Sequence, residues 1–171
     1  MSAALQRLNS LSAEDAAAEL LKCCGSTRWA EEMTGARPFR NLGELEEKAD
    51  SVWRSLDEED WLEAFSRHPK IGESKAAREI PSGAEKWSEQ EQSGARAASG
   101  ETLSELARLN RAYEERFGHI YIVCATGKSS EEMLAILKER LANDPRTELR
   151  AAAEEQRKIT RLRLRKLLEA V

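Results

Sequence analysis

Ile120-Tyr121-Ile122-Val123-Cys124-Ala125 is the one strand-like run in the chain, and its isolation decides the fold class. A strand needs a neighbour to satisfy its backbone N–H and C=O groups, and a lone strand has none. The run is therefore expected to lie extended under a cover of helices; a buried connector or the start of a helix is the plainer reading of the same pattern. Around it almost everything reads helical. Helix-start signals recur at Ser12 with Asp15, Asn41 with Glu44, Ser88 with Glu91, Thr102 with Glu105, and Asp144 before Pro145. In each, a short polar side chain can accept from the first unpaired N–H groups of a helix. Apolar residues follow at helical spacing, as in Leu42, Leu45, Ala49, Val52 and Trp53, or Leu103, Leu106, Leu109, Tyr113 and Phe117. Glycines such as Gly35, Gly72, Gly100, Gly118 and Gly127 punctuate these segments, and Glu79 to Trp87, with Pro81, Ser82 and Gly83, reads as a surface loop. The expectation is an all-α fold: residues 1–171 as one compact domain of about eight helices with one short extended apolar segment. Trp29, Trp53, Trp61, Phe39 and Phe65 are placed on apolar helix faces as core.

Composition narrows the function. A chain of 171 residues, 40% apolar and 34% charged, can bury one real core. A net charge of -4 gives no electrostatic reason to bind nucleic acid or an anionic membrane. The apolar runs are too short to span a bilayer, and Met1 to Gln6 lacks the basic start and apolar core of a signal peptide. The final Leu168-Glu169-Ala170-Val171 is not a peroxisomal address. A cytoplasmic protein with no nucleic-acid or membrane partner is expected. Cys23, Cys24 and Cys124 make a poor disulfide framework, since sequence neighbours rarely pair, so reduced and mostly buried thiols are expected. Two histidines, with no His-Glu-x-x-His, no Cys-x-x-Cys and no glycine-rich phosphate loop, leave little to bind a metal or a nucleotide cofactor; neither is expected.

The residues able to carry chemistry fall in three places. His68 stands before Pro69 in His68-Pro69-Lys70-Ile71-Gly72-Glu73, and the residue before a proline is pushed out of the helical region. His68 should therefore sit at the C-terminal end of a helix running from about Asp57. There the helix dipole favours the imidazolium, and a partly exposed ring becomes a proton donor near neutral pH; a plain capping histidine is the alternative. Ser88-Glu89-Gln90-Glu91-Gln92 opens a helix, with Ser88 and Glu91 as a capping box. Gln92 has no structural need to be there, and an adjacent carboxylate and amide can hold the hydroxyl and N–H groups of a ureide. On the helix from Pro145 onward, Ile159, Arg163 and Leu167 share a stripe flanked by Leu162, whereas Arg157, Arg161, Arg165 and Lys158 face away. Arg163 thus projects toward the core side, where its charge must meet an anion or snorkel out. That anion is either a bound carboxylate or an internal acid such as Glu91 or Glu73. The remaining basic face is read as solvated surface, and His119 as a turn residue or pocket wall.

Taken together, these motifs resemble the OHCU decarboxylase family, which acts on 2-oxo-4-hydroxy-4-carboxy-5-ureidoimidazoline in the last step from urate to allantoin. The resemblance spans nearly the whole chain. It rests on Cys23-Cys24-Gly25-Ser26 with Arg28-Trp29, Met33 and Arg37-Pro38-Phe39, then His68-Pro69-x-Ile71-Gly72, Ser88 with Glu91-Gln92, Arg116-Phe117-Gly118, Tyr121 to Ala125, and Leu162-Arg163-Leu164. It implies an all-helical homodimer acting without a cofactor in purine catabolism. Carried over by motif, it implies His68, Glu91 and Arg163 as catalytic residues. It further implies Pro69, Ser88 and Gln92 as substrate contacts, and Tyr121, Ile122, Val123, Cys124 and Ala125 as a segment gripping the substrate through its backbone. Two readings from other classes stand beside it: a noncatalytic helical binding module using the basic C-terminal helix, and a hydrolase of a related cyclic ureide with Cys124 and a histidine as nucleophile and base.

Overall fold

The computed structural model describes residues 2–71, 87, 91 and 99–169. Ser88, Gln92, Gly72, Glu73 and residues 79–86 of the proposed loop from Glu79 to Trp87 lie outside the described residues, and Trp87 itself is helical rather than part of a loop. Among the described residues there are eight helices and no strand: α1 Ala3–Ser10, α2 Ala13–Leu21, α3 Thr27–Gly35, α4 Leu42–Ser55, α5 Glu58–Ser66, α6 Gly100–Phe117, α7 Ser130–Arg140 and α8 Pro145–Glu169. None of these is long and apolar enough to cross a membrane.

Three of the start signals act as the sequence suggests. Ser12 Oγ accepts from the Asp15 N–H at 3.0 Å and Asn41 Oδ1 from the Glu44 N–H at 2.9 Å. Asp144 Oδ1 accepts from the N–H groups of Arg146 and Thr147, with Pro145 as the first helical residue. The exception is α6, which begins two residues before Thr102, at Gly100. Ser99 caps it, accepting from the Thr102 N–H at 3.3 Å, because a serine three residues earlier offers a capping hydroxyl of its own. Gly118 ends α6 in the left-handed conformation, φ 77°, where a Cβ would be strained.

Contacts divide the chain into two compact units, Met1–Ala64 with Arg157–Val171, and Phe65–Gln156. In the first, Trp29 is fully buried and donates its indole N–H to the Ala49 carbonyl at 3.1 Å, tying α3 to α4. Phe39 is buried as expected, but from the connection between α3 and α4 rather than from a helix. The Asn9 amide clamps its backbone, donating to the Phe39 carbonyl at 2.8 Å and accepting its N–H at 2.9 Å. Trp53 is core, whereas Trp61 is half-buried and Leu42 lies on the surface. In the second unit, Leu106, Leu109 and Tyr113 of α6 pack with Met133, Leu134 and Leu137 of α7, and Ile71 joins them beside Tyr121, Val123 and Ala125.

The basic face of α8 departs from the sequence reading. Arg157, Arg161 and Arg165 recur every fourth residue and meet two nearly buried acids of α4, Asp50 and Glu46, spaced the same way. The distances are 3.1 Å for Arg157 to Asp50, 2.9 Å for Arg161 to Asp50 and 2.6 Å for Arg165 to Glu46. These arginines form a ladder with the α4 acids, because carboxylates withdrawn from water require a fixed cation. Arg157 and Arg161 are thus partly withdrawn from water, whereas Arg165 and Lys158 stay exposed, so the face is solvated only in part.

Candidate active site

Pro69 ends α5. It has no N–H to extend the helix and forbids helical conformation at His68, so the chain turns there, with the His68 N–H donating to the Phe65 carbonyl at 3.2 Å. Lys70 then pairs with Glu114 of α6 at 2.9 Å, and Ile71 enters the core, so the turn is fixed on its far side. The helix dipole makes a proton donor near neutral pH of a ring that is partly exposed. Instead His68 is 8% exposed, and its Nε2 lies 2.6 Å from Oε1 of Gln156, a residue with no exposure.

The run 120–125 is extended, fully buried and paired with no strand among the described residues. Side chains hold it. Arg140 of α7 donates to the Ile122 carbonyl, Glu155 of α8 accepts the Cys124 N–H at 3.2 Å, and Lys128 donates to the Cys124 carbonyl at 2.7 Å. The Tyr121 hydroxyl donates to the Met133 carbonyl at 3.0 Å. Arg140 is itself oriented by Glu148, buried at the first turn of α8, which accepts from Arg140 Nε at 2.7 Å and from the Tyr113 hydroxyl at 2.5 Å. The guanidinium also stands over the Tyr121 ring at 5.0 Å. Burial pushes the Tyr113 and Tyr121 hydroxyls well above the ordinary phenol range. Among the described residues, no hydrogen bond is found for the N–H groups of Tyr121, Ile122, Val123 and Ala125, or for the carbonyls of Tyr121 and Val123. Groups of this kind are costly to bury without a partner, and here they are ready for one.

Of the residues expected to act, His68, Pro69, Glu91 and the run from Tyr121 to Ala125 fall in the second unit, and Ser88 and Gln92 lie outside the described residues. Glu91 is 9% exposed and helical, and its charge is felt at Cys124. The Cys124 thiol is raised above its ordinary value first by burial, with Glu155 and Glu91 adding and Lys128 opposing. Such a thiol is a poor nucleophile, which weighs against the hydrolase reading. His119 is set among the rings of Phe65, Tyr113 and Phe117, with centroids 5.3, 5.5 and 6.3 Å away, and its Nδ1 meets the Ile120 carbonyl at 3.0 Å.

Arg163 belongs to the first unit and faces inward as the stripe argument requires, 5% exposed, with Nη1 donating to the Lys22 carbonyl at 3.2 Å. Its charge lowers the neighbouring Cys23 and Cys24 thiols against a larger upward push from burial. All three cysteines are buried and free, as expected. Among the described residues, no group of three His, Cys, Asp or Glu side chains is placed to hold a metal ion.

Sequence reasoning passed over Gln156, Glu155, Arg140 and Glu148. The signal for Gln156 was present: it lies seven residues before Arg163, two turns back on the stripe that singled out the arginine. Arg140 and Glu148 carry no such mark, because charged residues in last and first helical turns are common.

Residues 9–165 match the family model for OHCU decarboxylase. The chain is 43% identical over 146 residues to the uric acid degradation bifunctional protein TTL of Arabidopsis thaliana, a match covering 85% of this chain and 45% of that protein. It is 35% identical over 136 residues to the 2-oxo-4-hydroxy-4-carboxy-5-ureidoimidazoline decarboxylase of Amia calva, covering 78% and 75%. Among solved structures, an OHCU decarboxylase crystallised in the presence of (S)-allantoin superposes with a TM-score of 0.77 at 41% identity, covering 89% of this chain and 98% of that one. The chain thus spans less than half of the plant relative and nearly all of the crystallised enzyme.

Proposed function

This chain belongs to the OHCU decarboxylase family, and from that premise we propose that it decarboxylates 2-oxo-4-hydroxy-4-carboxy-5-ureidoimidazoline to (S)-allantoin, the last step of urate degradation, without a cofactor. The observation that carries the reading is the buried run from Tyr121 to Ala125, whose unbonded N–H and C=O groups share a unit with His68 and Glu91. A ureidoimidazoline is a sequence of N–H and C=O groups, and an extended backbone offers the complementary sequence at fixed spacing.

The reaction asks little else of the protein. When the carbon–carbon bond to the carboxylate breaks, carbon dioxide leaves and the electron pair enters the conjugated ring, so the substrate is its own electron sink. What remains is to turn the carboxylate out of the ring plane, stabilise the delocalised anion and deliver one proton to one face of one carbon. The reading assigns the ring to Glu91, Ser88, Gln92 and the backbone of Tyr121 to Ala125, with Pro69 as a wall. Arg163 takes an anionic oxygen, and His68 carries the proton, which it recovers from solvent. The reduced, buried thiols suit a reducing compartment, and we assign the reaction to the cytoplasm. The homodimer belongs to the same proposal, on the family resemblance.

The test is circular dichroism on urate supplied with uricase and hydroxyisourate hydrolase. Rapid appearance of optically active (S)-allantoin on adding the protein is expected; slow, racemic product matching the blank would overturn the assignment. His68→Ala should lower turnover by ~100- to 10,000-fold, the usual worth of a positioned acid, with modest loss of binding.

A further inference from the structure

We propose that Gln156 is the positioning residue for His68, fixing the ring with its proton on Nε2. This rests on the reading of His68 as the proton carrier. The 2.6 Å contact joins His68 Nε2 to an amide oxygen, and a carbonyl oxygen only accepts, so Nε2–H donates to it in both the neutral and the charged ring. This hydrogen bond therefore fixes the proton of the neutral ring on Nε2 and limits the rotation of the imidazole. The amide cannot titrate, so it orients the ring without adding a charge that would hold the proton back.

The geometry supports a fixed rather than an incidental contact. Gln156 has no solvent exposure and His68 has almost none, so water does not compete for either group. The partners approach from independently anchored elements: the turn at Pro69, fixed by Lys70 with Glu114, and the middle of α8, where the neighbouring Glu155 grips the Cys124 N–H. Adjacent side chains of one helix thus hold the histidine and the extended segment, and a shift of one is a shift of the other. A misplacement of about 1 Å in a reacting group costs on the order of 100-fold in rate.

The experiment uses the full chain with its histidines labelled with nitrogen-15. There are two rings, His68 and His119, so the spectrum of His68→Gln assigns both. At alkaline pH, long-range nitrogen–proton correlations in the wild-type protein should show His68 as the Nε2–H tautomer, and an Nδ1–H ring would overturn the proposal without any variant. Gln156→Met keeps the length and removes the acceptor. It should lower kcat by about 10- to 100-fold with KM little changed, and give His68 a mixture of tautomers. Unchanged kcat, or a loss confined to KM, would overturn the positioning role. Full activity in His68→Gln would instead remove the parent reading while the wild-type spectrum still reported the ring, so the two failures are distinguishable.

Discussion

Cys24 keeps its proton far into the alkaline range. Burial pushes the thiol from its ordinary 9.0 up to about 12, against the lowering effects of the Ser26 backbone, the Thr160 hydroxyl and Arg163. In the unfolded chain it titrates normally, so between these values the unfolded state holds fewer protons than the folded one. The stability from this group is complete below about pH 9 and is lost as pH rises toward 12. The urea midpoint should therefore fall across that window, with Tyr113 and Tyr121 acting in the same direction, and Cys24→Ala should flatten part of the slope. Single residues were legible where chemistry forces their place. Arg163 was found from its stripe, because a charge on the apolar side of a helix has few physical outcomes. The burial of His68 and its amide partner were not legible: proline fixes where the helix stops, but not what packs over the turn.

Among the elements, the extended run from Ile120 to Ala125 depends most on others. A strand in a sheet is held by its neighbours, whereas this one is held by Arg140, Glu155 and Lys128, and Arg140 is held by Glu148. Glu148→Gln removes the charge opposite a buried guanidinium and should cost about 3 kcal/mol, read as a fall in the urea midpoint with little change in slope. Secondary near-ultraviolet changes at Tyr113 and Tyr121 should accompany it, since both rings border the pair. The helices themselves were largely visible in the sequence, because capping depends on a few adjacent residues. The partners of the basic face of α8 were not visible, since the acids they meet lie more than a hundred residues earlier in α4.

At the scale of the molecule, the surface of the described residues carries one exposed large apolar side chain, Leu42, at 37% exposure. Leu103, Phe117, Ile136 and Leu162 are only half-buried, so a contact between copies can also draw on apolar surface. Sedimentation velocity at low salt and in roughly 1 M salt tests the proposed homodimer: a dimer at both is expected, and a monomer at both would overturn it. The fold class was legible because one fact settles it: a single strand-like run cannot make a sheet. The same run bears on how the chain survives outside its native state. Six consecutive apolar residues rich in β-branched and aromatic side chains, without charge or proline, have the makeup of an amyloid spine. Native burial keeps their unpaired backbone from templating another copy, and a nascent or heat-opened chain has no such protection. The backbone groups left unpaired in the native run are those that would join chains into a fibre, so refolding at high concentration should favour aggregation through this segment.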